Sequence, residues 1–279
     1  MTRIPKILVF DSGLGGLTVY REIARLRPEA DYIYLADDAA FPYGALSEAG
    51  LVARVQSVLD AAIAEYAPDL VVIACNTAST LVLPPLRAAY RTLPFVGTVP
   101  AVKPAAERSR SQMISVLATP GTVARDYTYS LIATHAGHCR VTLVGSETLA
   151  AIAEAEMKGE RIQKNEIARE AAPCFVRDGE SGARTDTIVL ACTHYPLLQD
   201  YFERLAPWPV EWIDPAPAIA RRVDAVLSGR FQARSASQNM EDGRAIFTSG
   251  KSPPSSLEKA LLKLRLRAPD CAPMPLTFA

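Results

Sequence analysis

Apolar residues in this chain come in short runs separated by amphipathic stretches. Residues 7–10 form a run of four, followed by a glycine-rich turn and a helical pattern over 17–26. Residues 32–35 make the next strand candidate. Over 47–66 the spacing places Leu51, Val55, Val58, Leu59, Ala62 and Ile63 on one face of a long helix. Further strand candidates are 70–74, 94–99, 113–118, 140–144, 187–191 and 245–248, with a final helix over 254–266. Strands that alternate with helices predict an α/β fold of mainly parallel sheets covered by helices.

The pattern also divides the chain. Prolines 94, 100 and 104 mark one crossing, and prolines 207, 209, 215 and 217 a second. They predict two lobes: 1–98 with 210–279, and 99–209. Residues 228–237 read as a Gly/Ser/Arg-rich loop, and the last dozen residues as a frayed end. The halves echo each other. VVIACNTAS (71–79) resembles TIVLACTHYP (187–196), and ILVFDSGLGG (7–16) resembles ISVLATPGTV (114–123). Two facing lobes of similar topology would produce this echo, and so would any two buried strands.

Composition narrows the possible functions. The 279 residues carry 30 Lys and Arg against 30 Asp and Glu. With no basic excess to release phosphate counterions, nucleic-acid binding is not the expected main job. The uncharged stretch 70–86 contains Asn76, Thr77, Ser79, Thr80, Pro84 and Pro85 and is shorter than the ~20 apolar residues of a spanning helix. MTRIPK followed by four apolar residues lacks a secretory core of roughly 7–15, so the expected location is the cytoplasm. The five cysteines are scattered and read as thiols.

Two of these thiols stand out. Cys75 and Cys192 each follow an apolar strand, at the edge where open α/β sheets bind ligands. Each precedes helix-cap residues, Asn76-Thr77 and Thr193-His194, and a helix N-terminus favours thiolate over thiol. Cys139, Cys174 and Cys271 read as small hydrophobes. A metal held by Cys75, Cys192 and His194 lacks compact ligand spacing, so no metal is expected. The HxxHC run at His135 and His138 lacks the HExxH glutamate and reads as a solvated helix end. Glycines 13, 15 and 16 suit close backbone approach to a ligand carboxylate or phosphate, but the spacing is neither GxGxxG nor a Walker loop. Asp11 ends its strand and is placed to orient a thiol or accept its proton. Asp37–Gly44 reads as a turn. Thr119 and Thr122 flank Pro120-Gly121 at another strand end. Together these hydroxyls and amides suit a small anionic zwitterion.

FDSGLGGLTV, the Asp37 to Tyr43-Gly44 turn, VVIACNTAS, GTVPAVKPA (97–105), ATPGTV (118–123) and VLACTHYPLL (189–198) are similar to the glutamate racemases of the aspartate/glutamate racemase family. IDPAPAIARRV and FTSG extend the likeness into the tail. ARDYT (124–128) and LVGSETLAAIAEAEMKGE (143–160) resemble its proteobacterial branch. The resemblance implies two pseudo-symmetric α/β lobes with the active site between them, and cofactor-independent interconversion of L- and D-glutamate for peptidoglycan synthesis. It implies catalytic roles for Cys75 and Cys192, assisted by Asp11, His194 and Glu154. It implies substrate contacts from Asp11, Ser12, Tyr43, Gly44, Asn76, Thr77, Thr119, Thr193 and His194. Its implied partner is glutamate, with a homodimer left open. The chain has Ala40 where the family often has Arg, which bears on the cleft surface rather than the chemistry. Activation by a UDP-linked precursor, known in that branch, does not follow.

Racemisation removes a proton from one face of Cα and returns one to the other. Two opposed thiols, one ionised, suit this because a free thiol pKa of ~8.5 needs only a modest shift. No pyridoxal-bearing lysine motif is recognisable. Other readings of the same residues are an isomerase of aspartate or a hydantoin, a Cys–His hydrolase, and a two-lobed amino-acid-binding module.

Overall fold

The computed structural model describes residues 3–231 and 242–267. The chain begins with β1 (Lys6–Asp11), α1 (Leu17–Leu26), β2 (Asp31–Ala36), α2 (Glu48–Tyr66), β3 (Leu70–Ile73), α3 (Asn76–Ala89) and β4 (Phe95–Gly97). It continues through α4 (Val102–Arg108), β5 (Met113–Ala118), α5 (Pro120–Val123), α6 (Asp126–His135), β6 (Arg140–Gly145), α7 (Leu149–Met157), α8 (Lys164–Ala171), β7 (Thr187–Ala191), α9 (Gln199–Leu205) and β8 (Glu211–Ile213). It closes with α10 (Ala216–Ser228), β9 (Gly243–Phe247), α11 (Ser255–Lys263) and β10 (Leu266–Arg267).

Two parallel sheets result. The first has the order β10-β9-β2-β1-β3-β4 and the second β6-β5-β7-β8. Laid side by side, β2-β1-β3-β4 and β6-β5-β7-β8 share one topology. The sequence echo therefore marks equivalent strands, with β1 matching β5 and β3 matching β7. Each central strand is buried on both faces, which is why it reads as a continuous apolar run. In β1, Ile7 and Val9 pack beneath α1 and α10 with Ile23, Ala220 and Val223. Leu8 and Phe10 face the other way, against Leu51, Val55, Val58 and Leu59 of α2. In the second sheet Leu117 and Leu190 pack on one face, and Val116 and Val189 on the other.

Several elements differ from the sequence expectation. The proline crossing predicts that the first lobe resumes at 210, but β8 pairs with β7 in the second sheet and the crossing comes after it. At three residues, β8 is too short to show alternation. The two-residue strand β10 follows α11 and pairs with β9. The helix α3, for which the sequence pattern gave only a start after Cys75, runs through Pro84 and Pro85 to Ala89. Thr193-His194 opens a 3₁₀ turn (Tyr195–Leu198) that runs directly into α9. Most of the 228–237 loop, the frayed end and Cys271 lie outside the described residues. No described helix is long and apolar enough to cross a membrane.

Candidate active site

Parallel strands deliver their carboxyl ends to one edge of a sheet. In the first sheet β1 ends at Asp11, and β3 leads into Ala74 and Cys75. In the second, β5 leads into Thr119 and β7 into Cys192. One cavity is lined from both sheets by Ser12, Phe41, Pro42, Tyr43, Gly44, Cys75, Asn76, Thr77, Thr119, Ala150, Cys192, Thr193 and His194. The two cysteines sit at topologically equivalent strand ends on opposite walls. Their exposures are 5% and 6%, so both thiols are nearly shielded from bulk water.

The two thiols have different surroundings. Cys75 precedes α3, and its carbonyl accepts from the Ser79 amide at 2.9 Å. Its sulfur lies 3.6 Å from Ser12 Oγ. The expectation that the helix N-terminus favours the thiolate does not hold here. Burial and the nearby Asp11 carboxylate push the Cys75 thiol well above its usual range, outweighing the Ala78 amide and the Ser12 hydroxyl. At neutral pH Cys75 is a thiol.

Cys192 instead faces His194, with Sγ to Nδ1 at 3.7 Å. Burial works against a charged imidazole. Hydrogen bonds to Cys192 and Glu154, with the charges of Cys192 and Asp11, overcome it and hold His194 well above the usual histidine value. Its Nε2 lies 3.0 Å from Glu154 Oε1 and 3.2 Å from the Gly15 nitrogen. An imidazolium has no lone pair for an amide, so Nε2–H donates to the carboxylate. Glu154, despite burial, is held down to about 2 by His194, the Leu14 amide and Lys158.

The glycine loop after β1 explains this packing. A Cβ on Gly13 would meet Glu154 Oε1 at 2.3 Å, and one on Gly15 would meet His194 Nδ1 at 2.5 Å. The glycines thus admit side chains of the other sheet rather than a free ligand, and the carboxylate bound by the Leu14 amide is the chain's own Glu154. This corrects the ligand reading of those amides.

Asp11 is fully buried behind the cavity. Burial raises its pKa, while His194 and the Gly16 and Ser12 amides pull it back. Gly16 N–H donates to its Oδ2 at 2.7 Å, and Thr193 Oγ1 lies 3.4 Å from both oxygens. Neither Asp11 nor Glu154 lines the cavity; each reaches it through a neighbour. Asn76 is 2% exposed, and both its Nδ2 and Oδ1 lack a partner among the described residues. Such a group is costly unless a ligand satisfies it. Thr77, Thr119 and Thr122 form a hydroxyl cluster across the cleft, with Thr77 Oγ1 2.9 Å from Thr119 Oγ1.

The model of the Asp/Glu/Hydantoin racemase family matches residues 7–223. The chain belongs to this family. Membership places it among isomerases. A glutamate racemase of Brucella anthropi is 57% identical over 224 residues, 80% of each chain. One of Sinorhizobium fredii is 55% identical over 252 residues, 90% of this chain and 92% of that one. Among solved structures, glutamate racemase of Escherichia coli, in complex with L-glutamate and activator UDP-MurNAc-ala, is 39% identical. It covers 95% of this chain and 98% of its own, with a TM-score of 0.84.

In this family member some site residues escape sequence reading. Asp37 is a fully buried hub rather than a turn residue: Tyr43 Oη donates to it at 2.6 Å, Arg54 Nε at 2.8 Å and Thr248 Oγ1 at 2.6 Å. These partners come from different parts of the chain, so no local motif announces them. Lys158, four residues after Glu154, meets Glu154 Oε2 at 3.0 Å; only helical spacing hinted at it. No group of three or more His, Cys, Asp or Glu among the described residues is arranged to hold a metal ion.

Proposed function

We propose that this chain is a glutamate racemase, interconverting L- and D-glutamate with two cysteine bases and no cofactor, and supplying D-glutamate for peptidoglycan. The observation that carries this reading is the pair Cys75 and Cys192, both buried and on opposite walls of one cavity. We read the two sheets as two lobes that close on the substrate, 1–98 with the described residues from 214 onward, and 99–213. High identity to glutamate racemases over most of the chain supports the choice of glutamate.

The unlike surroundings of the two thiols suit a two-base reaction. Imidazolium His194 donates from Nδ1 to the Cys192 sulfur and stabilises it as thiolate. That thiolate takes the Cα proton from one face, and the Cys75 thiol gives its proton to the other. The Cys75 sulfur is left ionised and Cys192 protonated. In the opposite direction the roles exchange, with Asp11 behind Cys75 as its acid–base partner. As the Cα–H bond breaks, negative charge builds on the α-carboxylate. Asn76 and the amides opening α3 are preorganised to receive it. The Thr77–Thr119–Thr122 hydroxyls suit the remaining polar groups of a dicarboxylate.

The test is incubation of L-glutamate with metal-free, cofactor-free protein, followed by chiral analysis. Appearance of D-glutamate is expected. No D-glutamate from L-glutamate, with racemisation of aspartate or a hydantoin instead, would reassign the substrate.

A further inference from the structure

The cavity is narrow and both thiols are almost wholly buried in it, so the walls must part before a substrate reaches them. Most contacts that cross the cleft sit deep and touch the chemistry itself. Glu154 meets the Leu14 amide, Thr193 reaches Asp11, and Thr77 meets Thr119. Two exposed contacts also cross: Ser256 Oγ donates to the Lys158 carbonyl, away from the cavity's lining, and the other lies beside that lining. Arg125, between α5 and α6, donates from Nη1 to Glu48 Oε1 at the start of α2. It joins the wall built on the second sheet to the wall built on the first.

Its position marks the mouth. Pro42 and Gly44 line the cavity and are also exposed, so the cavity comes nearest to solvent there. Glu48 follows Gly44 by four residues. On the facing wall Thr119 lines the cavity, and Arg125 follows Thr122 of its hydroxyl cluster by three residues. The two ends of the pair are unlike. The Glu48 side chain is 67% exposed and free to swing, whereas that of Arg125 is 14% exposed. Arg125 Nε is buried without a hydrogen-bond partner among the described residues. Burial also lowers the Arg125 pKa, so its charge is held there at a cost. Such a group is compensated mainly through Glu48 and is poised to leave when that contact breaks.

We infer that the Arg125–Glu48 ion pair is a clasp across the mouth of the cleft that sets how often the two walls part and admit the substrate. The clasp lies apart from the reacting groups, so it governs access and not the proton transfers. The inference rests on the reading that Cys192 faces the reacting cavity, but its test needs no turnover.

Iodoacetamide labelling of Cys192, mapped by peptide mass spectrometry, reads opening directly. The half-buried Cys139, outside the cavity, serves as internal reference. Glu48→Gln and Arg125→Gln are each expected to raise the Cys192 labelling rate about two- to fivefold at low salt, the range of one partly exposed ion pair. Added salt of about 0.5 M should bring the unmodified protein toward the variants by screening the pair. Glu211→Gln is the control, since it breaks an exposed pair with Arg108 that does not border the cavity. Parent-like labelling in both clasp variants, or an equal rise in Glu211→Gln, overturns the clasp. Labelling of Cys139 that rises in step with Cys192 means general loosening and overturns it too. Failure of the chiral assay with labelling as expected would overturn the racemase reading alone.

Discussion

At the scale of single residues, burial decides what each ionisable group can do. Cys75 and Cys192 are equally buried and follow equivalent strands, yet one faces a carboxylate and the other an imidazolium. Cys75→Ala and Cys192→Ala are each expected to abolish racemisation, since each removes the proton carrier for one face. Substantial turnover in either, measured by circular dichroism of enantiopure glutamate, would leave that thiol without its role. The imidazolium sets the pH response. A histidine whose folded pKa is raised adds stability that is full below the unfolded value of ~6.5 and lost as pH rises through the folded one. The proposed reaction needs His194 protonated, so activity is expected to fall on the alkaline side. Glu154→Gln removes a partner that raises the His194 pKa. The alkaline limb of kcat/KM is therefore expected to move down by about one pH unit. A limb that stays in place would remove Glu154 from the relay.

At the scale of elements, the loop between β1 and α1 does what its glycines permit. Gly15→Ala places a methyl 2.5 Å from His194 Nδ1. The imidazole must turn away from Cys192, and displacement of a catalytic group by about 1 Å costs roughly 100-fold in rate. Such a loss in kcat, with a lowered melting temperature from the overpacking, is the expected outcome; unchanged kcat would show that the loop does not seat the imidazole. The same loop illustrates what the sequence made legible. A glycine-rich turn after a buried strand was evident, as were Asp11 and the strand-end cysteines. Its target was not, because Glu154 lies 140 residues beyond Leu14. Short strands such as β8 also escaped, since three residues carry no readable period.

At the scale of the whole molecule, the repeated four-strand unit explains why one cavity has two thiols. Doubling a β2-β1-β3-β4 unit and facing the copies places equivalent strand ends on opposite walls. In the proposed reaction, a substrate held between them would meet a different group on each face of Cα without turning over. In heavy water, the product enantiomer is therefore expected to carry deuterium at Cα early, while remaining substrate stays largely unlabelled. Equal early labelling of both enantiomers would point to one base acting on both faces.

The sequence by itself determined the α/β class, most strand and helix positions, and the two cysteines with their neighbours. These are encoded locally, in periodicity and in residue types at strand ends. Family likeness supplied the reaction expected of them. Only the tertiary structure decided that the thiols differ in surroundings, that the Asn76 side chain has no partner among the described residues, and that Asp37 anchors Tyr43 and Arg54. Those properties depend on burial and on charges brought together from distant parts of the chain. A one-dimensional pattern records neither.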